Sequence, residues 1–492
     1  MTQRRPVQTI ARCGAAALAI AAAPLAFADK EPPEAPPPTS SVVPAAPIIS
    51  GDTGRFEFGS YGRVRIASDV TGKTGHDANV VAHGDRIDEE SYAELELRRE
   101  DRFTPEIASR VVATLALFPP IFHFSGDATQ AIAVRNLYAQ GSYADLTLWV
   151  GSRMYRGDDI YLLDWWPLDN QNTLGGGASY KFGSQHAETS AAVHVGMQRL
   201  DSTYQHETLP APVPSALTSQ QGPTSEDITV LDRPRTIETL KVTHLLRSSD
   251  PERKDGLKFV LYGEAQELSA GAYTDTTVAP PGQTPLPADG GWLVGTEVAY
   301  FTGKRDTFVQ IFLRHAEGIA AYDPLATPLT FANNRTTRGS TETLLAVGAN
   351  YEWGPFGILF GGYMRAFRGG VSATTSQKYD EGVLAIRPQF YLSEHWGIAA
   401  EGAFEAKRFA VLDPNTDQPL TASEWRAGII PYFSPSGRGS YRRPQLRVIY
   451  SITARNAATR ELFPAEDVVG QRAVEQFLGL GAEWWFNSSS YP

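Results

Sequence analysis

Cysteine is nearly absent: the 492 residues hold one, Cys13, so neither a disulfide framework nor a thiolate metal site is available. There is no basic arm or stripe. Lys and Arg number 44 against 55 Asp and Glu, a net charge of −11, which excludes a nucleic-acid binder that works by displacing phosphate counterions. After residue 28 no run of about 18 apolar residues occurs, so the mature chain has no spanning helix. His123, His186, His194 and His206 lack the spacing of metal ligands, and no phosphate loop, dinucleotide fingerprint or G-x-S-x-G elbow is present. We therefore expect no metal and no cofactor. What the chain does have is 42% hydrophobic and 11% aromatic residues with 44 Gly and 34 Pro, a composition too ordered for a disordered chain. The length leaves the domain count open, because one large β-barrel can use all of it.

Arg4, Arg5 and Arg12 precede the apolar run Ala15–Ala23, which is followed by Ala26-Phe27-Ala28. This is the layout of a secretory signal peptide, and we place cleavage after Ala28. Cys13 lies before the apolar run, the wrong place for a lipid anchor. Removing residues 1–28 removes that cysteine and three basic residues, leaving a charge of −14. Residues 29–50 open with Glu31-Pro32-Pro33-Glu34-Ala35-Pro36-Pro37-Pro38, an extended polyproline-like composition that we read as a periplasmic linker. Residues 51–492 form the remaining unit.

In that unit apolar and polar residues alternate. Phe56, Phe58, Val64 and Ile66 fall on one face, and Glu57, Tyr61, Arg63 and Arg65 on the other. Ala93, Leu95 and Leu97 oppose Tyr92, Glu94, Glu96 and Arg98, and Ile398, Ala400 and Phe404 oppose Glu401, Glu405 and Lys407. At the end Leu478, Leu480, Ala482, Trp484 and Phe486 oppose Glu483 and Trp485. A period of two is a strand with one wet and one greasy face. In an exported chain, about ten-residue alternating strands ending in aromatics mark an outer-membrane barrel, the one sheet that satisfies its backbone in lipid. The expected fold is all-β, a transmembrane antiparallel β-barrel. Alternation alone defends roughly a dozen strands, and a soluble β-sandwich or β-helix is the competing reading. The Gly-, Pro-, Ser- and Thr-rich tracts 201–227, 273–291 and 413–423 read as surface loops.

Several islands resemble the maltoporins, sugar-specific outer-membrane porins. They are Gly59-Ser60-Tyr61-Gly62-Arg63, Glu90-Ser91-Tyr92-Ala93-Glu94-Leu95-Glu96-Leu97, Gly151 to Trp166, Ile386-Arg387-Pro388, Tyr441 to Val448 and Glu483-Trp484-Trp485. The island at 151–166 resembles that family's third-strand exit and inward-folded constriction loop. The resemblance implies 18 strands, a homotrimer, and a loop around 155–177 that narrows the lumen. It also implies a sugar-binding aromatic track of Tyr61, Tyr92, Trp166, Tyr441 and Trp485, flanked by the polar residues Arg63, Arg86, Glu94, Arg135, Asp159 and Asp164. Such a site is chemically sound: the C–H face of a sugar packs on an aromatic ring while its hydroxyls bond to Arg, Asp and Glu. Three departures stand out. The family's first-loop disulfide has no cysteines here, the aromatic that a neighbouring subunit contributes to the pore mouth has no aligned counterpart, with Phe122 and Phe124 as candidate substitutes, and one track position falls near Arg305.

The expected function is passive, sugar-selective diffusion of oligosaccharides of the maltodextrin type through the bacterial outer membrane, with outer-membrane lipid as the other partner. Rivals are a general diffusion porin, a structural barrel held by the linker, and a barrel enzyme. Asp159 and Asp164 could suggest glycoside hydrolysis, but two acids on a loop specify no catalytic geometry. Asp158-Asp159 offers too few oxygens to define a Ca²⁺ site.

Overall fold

A computed structural model describes residues 54–488 except 71–77, 88, 119–131, 201, 203, 214–223, 251–253, 276–281, 303–305, 325–327, 329–334, 371–376 and 414–415. The signal peptide, the linker, Phe122, Phe124 and Arg305 lie outside the described residues.

The first seven strands are β1 (Gly54–Asp69), β2 (Tyr92–Arg102), β3 (Ile107–Leu117), β4 (Ile132–Tyr143), β5 (Leu146–Arg156), β6 (Asn170–Gly183) and β7 (Ala187–Gln198). A hairpin of β8 (His206–Val213) and β9 (Thr224–Asp232) follows, then β10 (Arg235–Arg247) and β11 (Gly256–Leu268). A second hairpin, β12 (Gly271–Asp275) and β13 (Gly282–Leu286), precedes β14 (Asp289–Phe301), β15 (Phe308–Gly318), β16 (Thr341–Trp353) and β17 (Phe356–Arg368). The chain ends with β18 (Lys378–Tyr391), β19 (Trp396–Leu412), β20 (Pro419–Phe433), β21 (Gln445–Arg455) and β22 (Val474–Phe486).

Leaving out the two hairpins, the strands form one 18-stranded antiparallel sheet in chain order, closed by β1 pairing with both β2 and β22. Closure leaves no unpaired edge, the condition for crossing a bilayer with strands. Among the described residues no helix is long and apolar enough to cross a membrane. One rim carries short turns, such as 144–145, 184–186 and 354–355, and the other carries long connections, such as 199–234 and 319–340. Short turns mark the periplasmic rim. Near it Trp353, Phe356, Phe390 and Trp396 face outward and are exposed, with Phe356 and Phe390 at 5.1 Å. These are members of an interfacial aromatic girdle.

Two tracts read as loops are partly strand. Residues 206–213 and 224–232 form the first external hairpin, and 271–275 and 282–286 the second. Pro210 sits opposite Asp227 in a two-stranded ribbon, an edge where the missing N–H costs nothing. The third tract gives its last five residues to β20, and residues 289–291 belong to β14.

The barrel is filled from within. Loop 157–169 follows the fifth strand, not the third, and 170–177 belong to β6, so the constriction loop is shorter than the 155–177 expected. β6 pairs back at once, Asn170 opposite Arg156, and its Gly177 leaves room for the Trp149 ring. A Cβ on Gly177 would stand 2.2 Å from the Trp149 ring. The loop's Ile160, Leu162, Leu163 and Trp165 pack on Phe312, Leu344, Leu359 and Tyr363 of the far wall. Gly361 of β17 lets it lie close: a Cβ there would meet Ile160 Cγ2 at 2.8 Å. Residues 78–91 fold inward as well. Glu405 accepts the backbone N–H groups of Val80 and Asp85 at 3.1 and 3.2 Å, and Arg426 pairs with Asp85 at 3.1 Å.

Candidate permeation site

The aromatic cluster is set by strand register. Tyr61 lies opposite Trp485 on β22 and opposite Glu94 on β2, and Arg63 lies opposite Glu483 and Tyr92. A slip of one residue would turn all of these to the lipid. The rings of Tyr61 and Trp485 stack at 6.5 Å and 21°, and Tyr61 and Tyr92 meet at 6.0 Å. Tyr61 is 1% exposed and Tyr92 7%. The Trp485 ring is half-buried, with the Arg443 guanidinium 4.2 Å from its centroid.

Two inward loops bring charge onto these rings. Arg63 pairs with Glu89 at 2.7 Å and with Asp164 at 3.3 Å, and donates to the Tyr61 hydroxyl at 2.8 Å. Arg86 donates to the same hydroxyl at 3.0 Å and pairs with Glu89 and Glu483. Asp164 is aimed by the loop itself: it ends the 3₁₀ turn Tyr161–Leu163 at φ 46°, ψ 45°, a left-handed conformation that Asp tolerates. Arg63, Arg86 and Asp164 therefore converge over Tyr61, whereas Glu94 and Arg135 pair with each other at 2.9 Å beside Tyr92. Arg135 reaches inward because the β3–β4 ladder skips it between Thr114–Asn136 and Leu115–Val134, and such a bulge re-aims a side chain.

The remaining expected residues lie apart. Trp166 is buried beneath Arg156, whose guanidinium is 3.6 Å from the ring centroid. Tyr441 is not on a strand but in the periplasmic connection 434–444. That segment is pinned by Glu352, which accepts from the Ser440 amide at 2.8 Å and from the Tyr391 hydroxyl at 2.7 Å. Tyr441 reaches the cluster only through Tyr161, at 5.4 Å from Tyr441 and 6.2 Å from Trp485. Asp159 makes no ion pair with the Arg63–Arg86–Asp164 group; its carbonyl accepts from Gln310.

Reading the sequence missed Tyr161, although it lies inside the quoted island, because a loop side chain has no strand phase to orient it. It also missed Glu483 as a hub. That one carboxylate holds Arg86 at 3.2 Å, Arg443 at 2.8 Å and Arg447 at 2.5 Å, and accepts from the Tyr161 hydroxyl at 2.8 Å.

The loop carboxyls divide by their partners. Burial alone would raise Asp164, but Arg86 and Arg63 outweigh it and hold the group down at about 2. Burial, with Asp164 and Asp158 nearby, pushes Asp159 up to about 7 against the pull of Arg86. Burial and the neighbouring Asp164 charge raise Glu89, against the pull of Arg86 and Arg63. A raised carboxyl is neutral below its pKa, so Asp159 becomes anionic as pH climbs through about 7, and whatever it adds to loop docking is complete below about 3.8 and is lost as pH rises from there to about 7. Wild-type cation preference should therefore rise as pH climbs through about 7. Reversal potentials for Asp159→Asn should lose that step, and an unchanged profile would refute the assignment.

A family profile described as LamB porin matches residues 56–486. The chain belongs to the LamB porin family. It is accordingly a passive porin of the bacterial outer membrane and a channel rather than an enzyme. Solved outer-membrane barrels are similar at low identity. OccAB1 of Acinetobacter baumannii is 10% identical, covering 88% of this chain and 96% of that one, at a TM-score of 0.43. OpdO of Pseudomonas aeruginosa is 10% identical over 88% and 97%, at 0.41, and the trimer form of OmpT of Vibrio cholerae is 11% identical over 88% and 100%, at 0.38. Likeness at this level carries no argument about solutes. Comparison with curated proteins gives no match.

Proposed function

We propose that this LamB-family pore is selective for saccharides and reads them mainly through hydroxyls. The observation that carries the proposal is the convergence of Arg63, Arg86, Glu89 and Asp164 beside the half-buried Trp485 ring. Guanidinium and carboxylate groups exchange hydrogen bonds with a sugar's rim, while the indole takes its C–H face. Tyr61 and Tyr92 act here as the backing of that site rather than as open steps, and Tyr441 belongs to the exit. Transit needs binding that is strong enough to enter and weak enough to leave. Linear oligosaccharides of the maltodextrin type are the proposed solutes, and a homotrimer is the proposed assembly, on the strength of the family.

The cover over Tyr61 and Tyr92 favours a second reading, a general diffusion pore in which the aromatic row only supports the wall. Conductance of the purified protein in a planar bilayer, with linear α-glucans, sucrose and other oligosaccharides titrated in, separates the two. The saccharide reading expects concentration-dependent block whose midpoint rises about 3- to 10-fold in Trp485→Ala. An open channel that none of these sugars blocks would leave the general pore.

A further inference from the structure

Arginines in this lumen are almost always matched to acids: Arg63 to Glu89, Arg135 to Glu94, Arg314 and Arg365 to Glu342, Arg387 to Glu401, and Arg455 to Glu424. Arg153 is different. It projects inward from β5, three residues before that strand ends, on the face opposite the lipid-exposed Leu146, Leu148 and Val150. Among the described residues its guanidinium has no carboxylate partner and makes no hydrogen bond. Three rings hold it instead, with the guanidinium carbon 4.8 Å from the centroid of Trp149, 5.1 Å from Tyr138 and 5.8 Å from Tyr155. The rings are themselves fixed: Trp149 and Tyr155 stack at 5.8 Å, Tyr155 and His194 at 5.2 Å, and His194 is anchored to Thr173 at 2.7 Å.

A cation flanked by ring faces is stabilised and oriented, yet its N–H groups gain no acceptor from those faces. Arg153 is half-buried rather than sealed, so its donor edge meets the lumen. Lys241 of β10 is paired with Asp169 at 2.6 Å, and no carboxylate among the described residues is paired with Arg153.

We infer that Arg153 is an anion-reading point in the pore, built to take the carboxylate of a small acidic saccharide, a uronate, in transit past the constriction. This rests on the reading of the pore as a saccharide path and adds a charge preference that the Tyr61–Trp485 cluster does not supply. A planar carboxylate extends the guanidinium plane through two parallel N–H···O bonds, a contact that the flanking rings do not offer. Binding is reversible and no bond is made or broken, as passage requires.

The test is current block of the full-length protein in a planar bilayer by galacturonate, galactose 1-phosphate and neutral galactose. Wild type should be blocked by galacturonate at a lower concentration than by galactose. Arg153→Gln should raise the galacturonate midpoint about 10- to 100-fold, the range of a hydrogen-bonded charge, and change the galactose midpoint less than about twofold. Arg153→Lys keeps the charge without the fork, so it should keep the wild-type ion selectivity but not the galacturonate block. Both variants should show wild-type strand content by circular dichroism. Equal block of wild type by galacturonate and galactose, or a galacturonate midpoint unmoved in Arg153→Gln, overturns the proposal. Block by galactose 1-phosphate in place of galacturonate overturns the choice of carboxylate. Absence of block by neutral sugars and glucans alone would count against the saccharide reading while leaving the Arg153 effect measurable with galacturonate.

Discussion

Glu483→Gln should widen the pore and make its current noisy. The wild-type carboxylate is buried and draws together Arg86 of the first inward loop, Arg443 of the periplasmic connection, Arg447 of β21 and the hydroxyl of Tyr161 on the constriction loop. Glutamine fits the space but neutralises the one anion these three guanidinium groups share. Breaking a buried ion pair by removing one partner costs about 3–5 kcal/mol, because the remaining charge is left uncompensated. Here the strain would fall on the weakest attachments, the two loops, since the strands are held by their own ladder. Single-channel recording should show a larger mean conductance with excursions between levels, and accelerated protease cutting at residues 78–91 and 157–169 should accompany it. A variant with wild-type conductance and noise would show that the apolar contacts alone hold the loops. Arg447→Gln, which removes one cation of three, should have a smaller effect of the same sign.

The sequence made the barrel legible where the two faces of a strand differ most. β1, β2, β19 and β22 present charge inside and aromatic or aliphatic side chains outside, so phase alone oriented Tyr61, Tyr92, Glu94 and Trp485. The strands that alternation underplays have a physical reason for doing so. On β16 both Leu344 and Ala346, which face in, and Leu345, which faces out, are apolar, because the inner face receives the constriction loop. β17 repeats this with Leu359 inside and Ile358 outside, and β7 lines its inner face with the small residues Ser190, Ala192 and Gly196. A greasy patch inside the barrel erases the wet face that the period depends on. The same docking explains why the site was only half legible. Residues on strands carried their own direction, whereas Arg86, Tyr161 and Asp164 take theirs from the fold of the loops, and Tyr441 from a turn pinned by Glu352. Sequence resemblance could group these residues but not show that Arg63 and Arg86 lie across the Tyr61 hydroxyl.

Trp165→Ala should release both inward loops at once. Trp165 stacks on His83 of the first loop at 4.4 Å and 13° and meets Tyr363 of β17 at 5.0 Å; its backbone bridge to Ile160, which alanine keeps, is not touched. Truncating a buried tryptophan costs about 3–5 kcal/mol, more than a loop held by a few other side chains can absorb. Amide exchange in 78–91 and 157–169 should therefore quicken together, about 100-fold or more. His83→Ala should give a smaller change, and the double variant should fall short of the sum, as expected for residues in contact. The stack also fixes a pH dependence. Burial, reinforced by Arg365 and Arg314, pushes His83 down to about 3, so the imidazole is neutral while docked. A depressed pKa means that the docked form is favoured fully above about 6.5 and loses that advantage as pH falls toward 3. Loop exchange in wild type should thus speed up on acidification across that interval, and His83→Phe, which keeps a ring but cannot take the proton, should flatten the response. Rapid exchange in only one of the two loops of Trp165→Ala would show that they dock independently, and that the constriction is two separate elements.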